Sequence, residues 1–263
     1  MTTQPRLHVE CEGRGELVVL MHGFGGSARN FGAQARTLAP RRRVLRFDAR
    51  GHARSEAPDD PTAYTPETFV RDVGRLLDAE GDAAAVVGGL SMGAGIALRF
   101  ALAHPVRTRA LLLAAFPAAA DTPGSYASVA GAFAARIESD GLEAAGAEFV
   151  WGPSAGLDGA AAALVRRGFL EHSPHGLAHT LRGVIAVQPS VASLAPRLAE
   201  LAIPTLVVVG ERDQLSLATS RKLAAALPNG RLVEIARAGH LVNLARPAEF
   251  NAALVEFLAA EGR

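Results

Sequence analysis

Apolar and polar positions divide most of the chain into short apolar runs that alternate with longer stretches of helical periodicity. This alternation is typical of a mostly parallel β-sheet with helices on both faces. Seven runs are predicted to be strands: RLHVE (6–10), ELVVLMH (16–22), RVLRFD (43–48), AAAVVGG (83–89), RALLLAA (109–115), PTLVVVG (204–210) and RLVEIA (231–236). The first two are predicted to be antiparallel neighbours, because only CEGRG (11–15) separates them and its glycines can form a hairpin turn.

Two helices have recognisable boundaries in the sequence. Thr65 and Pro66 are predicted as the N-cap and first residue of the helix PETFVRDVGRLLDAEG (66–81), which ends at a glycine. Pro247 is expected to begin a last amphipathic helix that contains AALVEFLAAEG (252–262).

Residues 117–196 interrupt the alternation, because they contain alanine-rich helical pieces and no strand-like run. A long helical insertion between two strands is expected to form a cap over one end of the sheet. Residues 1–116 and 197–263 then form the core domain, and residues 117–196 form the cap. Ordinary crossover helices are the alternative interpretation of this segment.

Composition narrows the range of functions. The 263 residues carry a formal net charge of +1 and the arginines are scattered, so neither nucleic acid nor a membrane is an expected partner. The one cysteine, Cys11, cannot form an intrachain disulfide, which suits a reducing compartment. Neither a signal peptide nor a membrane-spanning run of about 20 apolar residues is evident. We therefore expect a cytoplasmic globular protein.

The segment GLSMG (89–93) matches the pattern Gly-x-Ser-x-Gly between a predicted strand and a predicted helix. A tight turn at this place strains the serine backbone and lifts its hydroxyl above the sheet edge. Gly89 and Gly93 are needed there, because a side chain at either position would collide with a neighbouring strand or helix. Ser91 is therefore the predicted nucleophile. The alternative is a glycine-rich turn whose serine has no function.

A serine nucleophile needs a histidine base that a carboxylate orients. Asp213 and His240 directly follow the predicted strands 204–210 and 231–236, at the edge where parallel sheets place their sites. We predict them as the orienting acid and the general base. Glu211 and Asp121 are the alternative acids.

The other histidines are less suited to act as the base. His22, His52 and His104 do not follow the last predicted strand. The predicted cap contains His172, His175 and His179, and the spacing of the last two could serve a metal. No carboxylate accompanies them in an HExxH pattern, however. These three side chains are expected to be solvated, and no metal site or cofactor is predicted.

Backbone N–H groups must also hold the oxyanion that forms during acyl transfer. Met92, which follows the nucleophile, and Phe24, in the loop HGFGGS (22–27), are the predicted donors. The loop glycines would let its backbone approach a substrate. A phosphate-binding loop is the alternative, but the segment lacks both common nucleotide-binding glycine patterns.

Five segments together resemble the α/β-hydrolase fold in order and context: LMHGFGGSARNF, RFDARGHARS, VVGGLSMGAGIALRFALAHP, PTLVVVGERD and AGHLVNLARPAEF. The resemblance implies an eight-stranded sheet with one antiparallel strand, and it implies the same triad and oxyanion donors. Ala53, Ala94 and Ala245 depart from the usual pattern of the family, which affects loop details. Asp48 and Arg50 are expected to stabilise their turn.

A serine at this position argues against the dehalogenases and epoxide hydrolases of the family, which use aspartate. We expect a serine hydrolase that cleaves an ester or lactone of a small apolar substrate through an acyl-enzyme. Phe116, Trp151 and Leu241 could line its pocket, although core packing explains them equally well. The alternatives are a C–C bond hydrolase, a pyruvate-eliminating synthase, which LAHTLRGVIAVQPSV (177–191) resembles locally, and a non-catalytic receptor.

Overall fold

Seven strands form one sheet in the computed structural model, which describes residues 4–117, 125–151 and 159–261. The order is β1-β3-β2-β4-β5-β6-β7, and only β1 runs antiparallel to its neighbour. The strands are Val9–Gly13 (β1), Leu17–Met21 (β2), Arg43–Phe47 (β3), Ala85–Leu90 (β4), Thr108–Ala114 (β5), Thr205–Gly210 (β6) and Gly230–Ile235 (β7). The mostly parallel sheet is confirmed, but the described residues form seven strands where the resemblance implied eight.

The predicted hairpin between the first two strands is wrong. β1 pairs with β3, with Val9 opposite Phe47, and β2 lies between β3 and β4. Every position of β2 is buried, whereas β1 alternates between exposed and half-buried positions. A uniformly apolar strand belongs inside a parallel sheet, and an alternating one can lie at its edge. The chain passes the end of β3 at Gly13, which has φ +83°. A Cβ on Gly13 would lie 2.1 Å from the Arg42 carbonyl oxygen.

Helices cover both faces of the sheet. Pro66–Ala79 begins at the predicted cap, since the Thr65 side chain accepts from the Thr68 N–H, and Pro247–Glu261 begins at the predicted proline. The α-helices are Gly32–Leu38 (α1), Pro66–Ala79 (α2), Met92–Ala103 (α3), Ser125–Phe149 (α4), Gly159–Phe169 (α5), Pro174–Thr180 (α6), Val191–Ala199 (α7), Leu217–Ala226 (α8), Val242–Ala245 (α9) and Pro247–Glu261 (α10).

The core consists of two apolar layers, one on each face of the sheet. Successive strand side chains alternate between the layers, as the two-residue period of a strand requires. In β2, Val19 and Met21 pack with side chains of α2 and α3, whereas Val18 and Leu20 pack with those of α1 and α10. Because β2, β4, β6 and β7 run parallel, their carboxyl ends meet at one edge of the sheet.

The described part of residues 117–196 is helical. It contains α4, which is interrupted at Gly141, then α5, α6 and a π-helical turn at Leu181–Ile185, and α7 continues past the predicted boundary to Ala199. Gly176 lies so close to the core that a Cβ there would be 2.6 Å from the Gly51 carbonyl oxygen. The division into core and cap domains stays a prediction. Within the described ranges, no helix has the length and apolar character of a membrane span.

Candidate active site

Ser91 occupies the turn between β4 and α3. Its backbone has φ 52° and ψ −112°, a strained combination for a residue with a side chain, and its N–H donates to the Ala114 carbonyl oxygen at 2.8 Å. A Cβ on Gly89 would lie 2.5 Å from the Met21 carbonyl oxygen, and one on Gly93 would lie 2.1 Å from the same atom. The predicted need for glycine at both positions is confirmed, because β2 approaches the turn at backbone contact.

The loop after β2 lies beside Ser91. A Cβ on Gly23 would lie 3.5 Å from the Ser91 Cβ and 3.3 Å from the Leu90 carbonyl oxygen. Within the described residues, no protein acceptor receives the backbone N–H of Phe24 or that of Met92. The donors of an oxyanion hole must be unengaged by the protein, so this arrangement is compatible with the role predicted for both groups.

Asp213 and His240 form a hydrogen-bonded pair at the same edge. His240 Nδ1 lies 2.8 Å from Asp213 Oδ2, and the His240 side chain is 36% exposed whereas that of Asp213 is 1% exposed. Their loops are held together, since the Arg212 N–H donates to the Ala238 carbonyl oxygen at 2.9 Å. With Nδ1 directed at the carboxylate, Nε2 of His240 is the nitrogen that can serve as a base.

Ser216 is a buried member of this site that the sequence analysis missed. Its N–H donates to Asp213 Oδ1 at 3.2 Å, and its Oγ lies 3.3 Å from His240 Nδ1. Burial pushes the pKa of Asp213 up, but hydrogen bonds from His240 and Ser216 and the charge of His240 outweigh it, so the pKa lies below its ordinary value. Asp213 therefore stays ionised beside the imidazole. The position of Ser216, three residues after Asp213 and directly before α8, was the available sequence signal for its place in the site.

Glu211, one of the alternative acids, does not contact His240 in the described residues. Glu211 accepts the Arg237 N–H at 3.0 Å instead, and Asp121 lies outside the described residues. Asp48 and Arg50 are structural, as expected. The Asp48 carboxylate accepts the Ala28 N–H at 2.7 Å and the Arg54 side chain, and Arg50 forms a two-pronged ion pair with Asp72.

The expectation of solvated cap histidines is wrong for His172, which is only 6% exposed. Its Nε2 lies 2.9 Å from the Gly26 carbonyl oxygen, and its Nδ1 lies 3.0 Å from that of Phe169. Helical spacing does not show which residues another segment covers, so no sequence signal identified this burial. His175 is exposed, as expected, and His179 is half-buried. Among the described residues, no three His, Cys, Asp or Glu side chains are grouped to hold a metal ion.

Two further histidines are buried, His22 in the loop after β2 and His52 beside it. His22 and His52 have ring centroids 5.0 Å apart, and His52 lies 5.3 Å from His172. Burial lowers the pKa of His22 to about 4, and it also lowers that of His52, so both are neutral at ordinary pH. They are packing and hydrogen-bonding groups here.

Aromatic rings extend from the loop into the predicted cap. Phe24 contacts Phe133 at 5.5 Å between centroids, and Phe133 stacks on Phe149 at 4.6 Å. Phe169 continues the series, at 6.1 Å from Phe133 and 5.6 Å from Trp151. Of the predicted pocket residues, Trp151 therefore belongs to this cluster. Phe116 is 2% exposed in the core, and Leu241 is half-buried against the other core layer.

Known proteins of one family match nearly the whole chain. Residues 18–253 match the model of a family described as the alpha/beta hydrolase family. A Bacillus subtilis protein provisionally named 2-succinyl-6-hydroxy-2,4-cyclohexadiene-1-carboxylate synthase is 30% identical, over 92% of this chain and 90% of its own length.

Two solved structures are similar in both fold and sequence. A thermophilic esterase from Thermogutta terrifontis has a TM-score of 0.87 at 28% identity, and the match covers 98% of this chain and 94% of the esterase. The enol-lactonase from Burkholderia xenovorans LB400 has a TM-score of 0.85 at 28% identity, with 97% of each chain covered.

Proposed function

The chain belongs to the alpha/beta hydrolase family, and from this premise we propose that it is a serine hydrolase acting on a carboxylic ester or lactone of a small apolar substrate. One observation carries the proposal: a strained Ser91 shares the carboxyl edge of the sheet with a His240–Asp213 pair at 2.8 Å. Strain of this kind persists where the surrounding structure enforces it, which is typical of catalytic sites.

In the proposed reaction, Ser91 Oγ attacks the substrate carbonyl carbon while His240 Nε2 takes the hydroxyl proton. The ionised Asp213 holds the Nδ1–H and stabilises the imidazolium. The oxygen of the tetrahedral intermediate accepts hydrogen bonds from the N–H groups of Phe24 and Met92, each contributing about 3 kcal/mol to the transition state.

The intermediate then breaks down as the bond between the carbonyl carbon and the leaving oxygen cleaves. The leaving alcohol, or the ring oxygen of a lactone, takes the proton from His240. A water molecule next attacks the acyl-enzyme, with His240 as its base. The carboxylic acid leaves and Ser91 regains its hydroxyl proton.

The aromatic cluster supports an apolar substrate. Phe24 belongs to the predicted oxyanion loop, and its ring contacts Phe133, which connects it to Phe149 and Phe169. We propose that this cluster forms one wall of the substrate site, and an aromatic wall favours uncharged acyl and alcohol groups. We also propose residues 117–196 as the cap that carries most of this wall.

A C–C bond hydrolase or a pyruvate-eliminating synthase with the same triad is the second candidate. The name of the Bacillus subtilis relative favours a synthase. Arg182 lies in the segment that resembles the synthase, and its guanidinium is engaged by Glu138 at 2.6 Å, which favours the ester or lactone over an anionic substrate. A non-catalytic receptor on this fold would bind a ligand without turnover.

The test is turnover of p-nitrophenyl esters of graded acyl length, beside lactones and thioesters, by the wild-type protein and two serine variants. We expect Ser91→Ala to lower kcat/KM by about a million-fold with no large change in stability. Ser193→Ala, an exposed serine of α7, is the control and should keep wild-type activity. A fluorophosphonate should label wild type and Ser193→Ala but not Ser91→Ala. Ester or lactone turnover by Ser91→Ala, or turnover of neither by the wild type, would contradict the proposal.

A further inference from the structure

The carbonyl group of Gly23 is fixed by two hydrogen bonds. The Ala49 N–H donates to His22 Nε2 at 2.9 Å, so this nitrogen carries no proton in the neutral ring. The proton of His22 is therefore on Nδ1, which donates to the Gly23 carbonyl oxygen at 2.7 Å. The Gly26 N–H donates to the same oxygen at 3.0 Å.

Fixing this carbonyl also fixes the predicted oxyanion donor. The carbonyl of Gly23 and the N–H of Phe24 belong to one planar trans peptide, so they point in opposite directions. Once His22 and Gly26 hold the oxygen on one side, the Phe24 N–H faces the other side. The orientation of the Gly23–Phe24 peptide thus depends on the turn from Gly23 to Gly26.

The far end of this turn is held by the predicted cap. His172 Nε2 lies 2.9 Å from the Gly26 carbonyl oxygen, which receives no other donor in the described parts of the chain. His172 Nδ1 also faces a carbonyl oxygen, that of Phe169 at 3.0 Å, and a neutral imidazole donates from only one nitrogen. The Phe169 oxygen already accepts the backbone N–H of His172 at 3.3 Å, whereas the Gly26 oxygen has no other described donor, so we assign the ring proton to Nε2. The Phe169 ring also covers Gly25, at 2.7 Å from where a Cβ would be, but an apolar contact does not set the direction of a peptide.

We propose that His172 is a positioning residue of the reaction, which through its Nε2–H holds the Gly23–Gly26 turn so that the Phe24 N–H faces the oxyanion. This inference rests on the proposed function of Ser91. His172 touches no substrate atom in the proposal and acts only through Gly26. Its loss therefore weakens stabilisation of the transition state and leaves ground-state binding largely intact.

A neighbouring ion pair provides a control that distinguishes this role from simple docking of the cap. Glu171, the preceding residue, forms an exposed ion pair with Arg29 of the core at 2.6 Å. It joins the same two segments but contacts no peptide of the turn. On the core side, His172 faces His52, with His22 behind it, and both are neutral. Glu171→Gln is therefore a matched control for a contact that connects the cap to the core only.

The experiment compares His172→Gln with His172→Asn, using p-nitrophenyl esters. The amide nitrogen of glutamine can reach the place of Nε2, whereas that of asparagine reaches only the place of Nδ1. We expect His172→Gln to keep kcat within about threefold, and His172→Asn to lower kcat by about 10- to 100-fold with little change in KM. Glu171→Gln should keep the wild-type kcat.

Equal kcat values for the Gln and Asn variants would overturn the proposal, as would an Asn variant that loses activity only by raising KM. Nitrogen-15 NMR of the wild-type imidazoles provides a test that needs no variant. We expect a proton on Nε2 of His172, and its absence there would also overturn the proposal. Failure of the wild type to hydrolyse any ester would reject the function instead, while the NMR result would still decide the state of His172.

Discussion

Ser216 Oγ lies 3.3 Å from His240 Nδ1, the same nitrogen that forms a hydrogen bond with Asp213. The hydroxyl is buried, and the Ser216 N–H donates to the other carboxylate oxygen of Asp213. Ser216 thereby holds the acid in place while it contacts the ring that the acid orients.

This arrangement predicts a graded response to substitution. Asp213→Asn should lower kcat by about 10,000-fold, because the amide stabilises the wrong tautomer of His240. Ser216→Ala removes one neutral hydrogen bond, typically worth about 1 kcal/mol, and should lower kcat by about fivefold. Steady-state kinetics with an activated ester measures both, with Ser193→Ala as the control. A larger loss for Ser216→Ala than for Asp213→Asn would contradict the assignment of the acid.

Ala53 has φ 42°, in the region that favours glycine, where the family pattern has a glycine. Ala53→Gly should relieve about 1–2 kcal/mol of backbone strain, which exceeds the roughly 0.7 kcal/mol lost through the more flexible unfolded chain. We expect a net gain of about 0.5–1 kcal/mol in the free energy of unfolding, measured with urea.

The matched control for this prediction is Ala252→Gly, at an exposed position of α10. Glycine there should lower the free energy of unfolding by about 1 kcal/mol. If both variants lose stability equally, the positive φ of Ala53 is not strained.

The buried ion pair of Arg50 and Asp72 predicts a large loss of stability when only one of its partners is replaced. Their side chains are 7% and 3% exposed, and both guanidinium contacts are shorter than 3 Å, at 2.7 and 2.8 Å. Asp72→Asn leaves the Arg50 charge buried without its counterion, which should cost about 3–5 kcal/mol.

Glu138→Gln is the control for that substitution, because it breaks an exposed pair with Arg182. It should cost less than about 1 kcal/mol in the same urea titration. Comparable costs for the two variants would show that burial does not govern the strength of the Arg50 pair.

Stability should also decrease on acidification. Native His22 takes up a proton only below about pH 4, whereas an unperturbed histidine does so below about 6.5. Between these values the unfolded state binds more protons, so the free energy of unfolding falls as the pH decreases, by about 3 kcal/mol in total. His52 adds to the effect, since its pKa is also lowered. Asp213 acts in the same direction at lower pH, because its native pKa is depressed.

Urea unfolding of the wild type and His22→Asn across this pH range measures the contribution of His22. The asparagine cannot titrate, so the variant should be less stable at neutral pH but should lose less on acidification. Parallel pH dependences would show that His22 is not the source of the effect.

The strands and their order along the chain could be predicted because burial of a strand leaves a local signature. Each of the seven apolar runs overlaps an observed strand. The pairing of β1 could not be predicted in this way, since partner choice depends on contacts between segments far apart in sequence. The uniformly apolar sequence of β2, from Leu17 to Met21, was nevertheless a sign that it lies inside the sheet.

Some residues of the candidate site could likewise be predicted from local sequence, whereas others depend on contacts between distant segments. Ser91, Asp213 and His240 could be located because each follows a strand of a parallel sheet, and such strands end at a common edge. His172 could not, because its role depends on the carbonyl of Gly26, which lies 146 positions away in the chain. Three histidines within eight residues, one before the short helix α6 and two inside it, give no indication of which one the core will cover.

The sheet of the described chain ends in two strands, β1 and β7, that each have one unpaired side. On β1, Glu10 and Glu12 form ion pairs with Arg46 of β3, and on β7, Glu234 forms one with Arg221 of α8. A second molecule that extended the sheet at either end would have to remove water from these charges. Charged side chains on edge strands disfavour such pairing, so these glutamates act against polymerisation through the backbone.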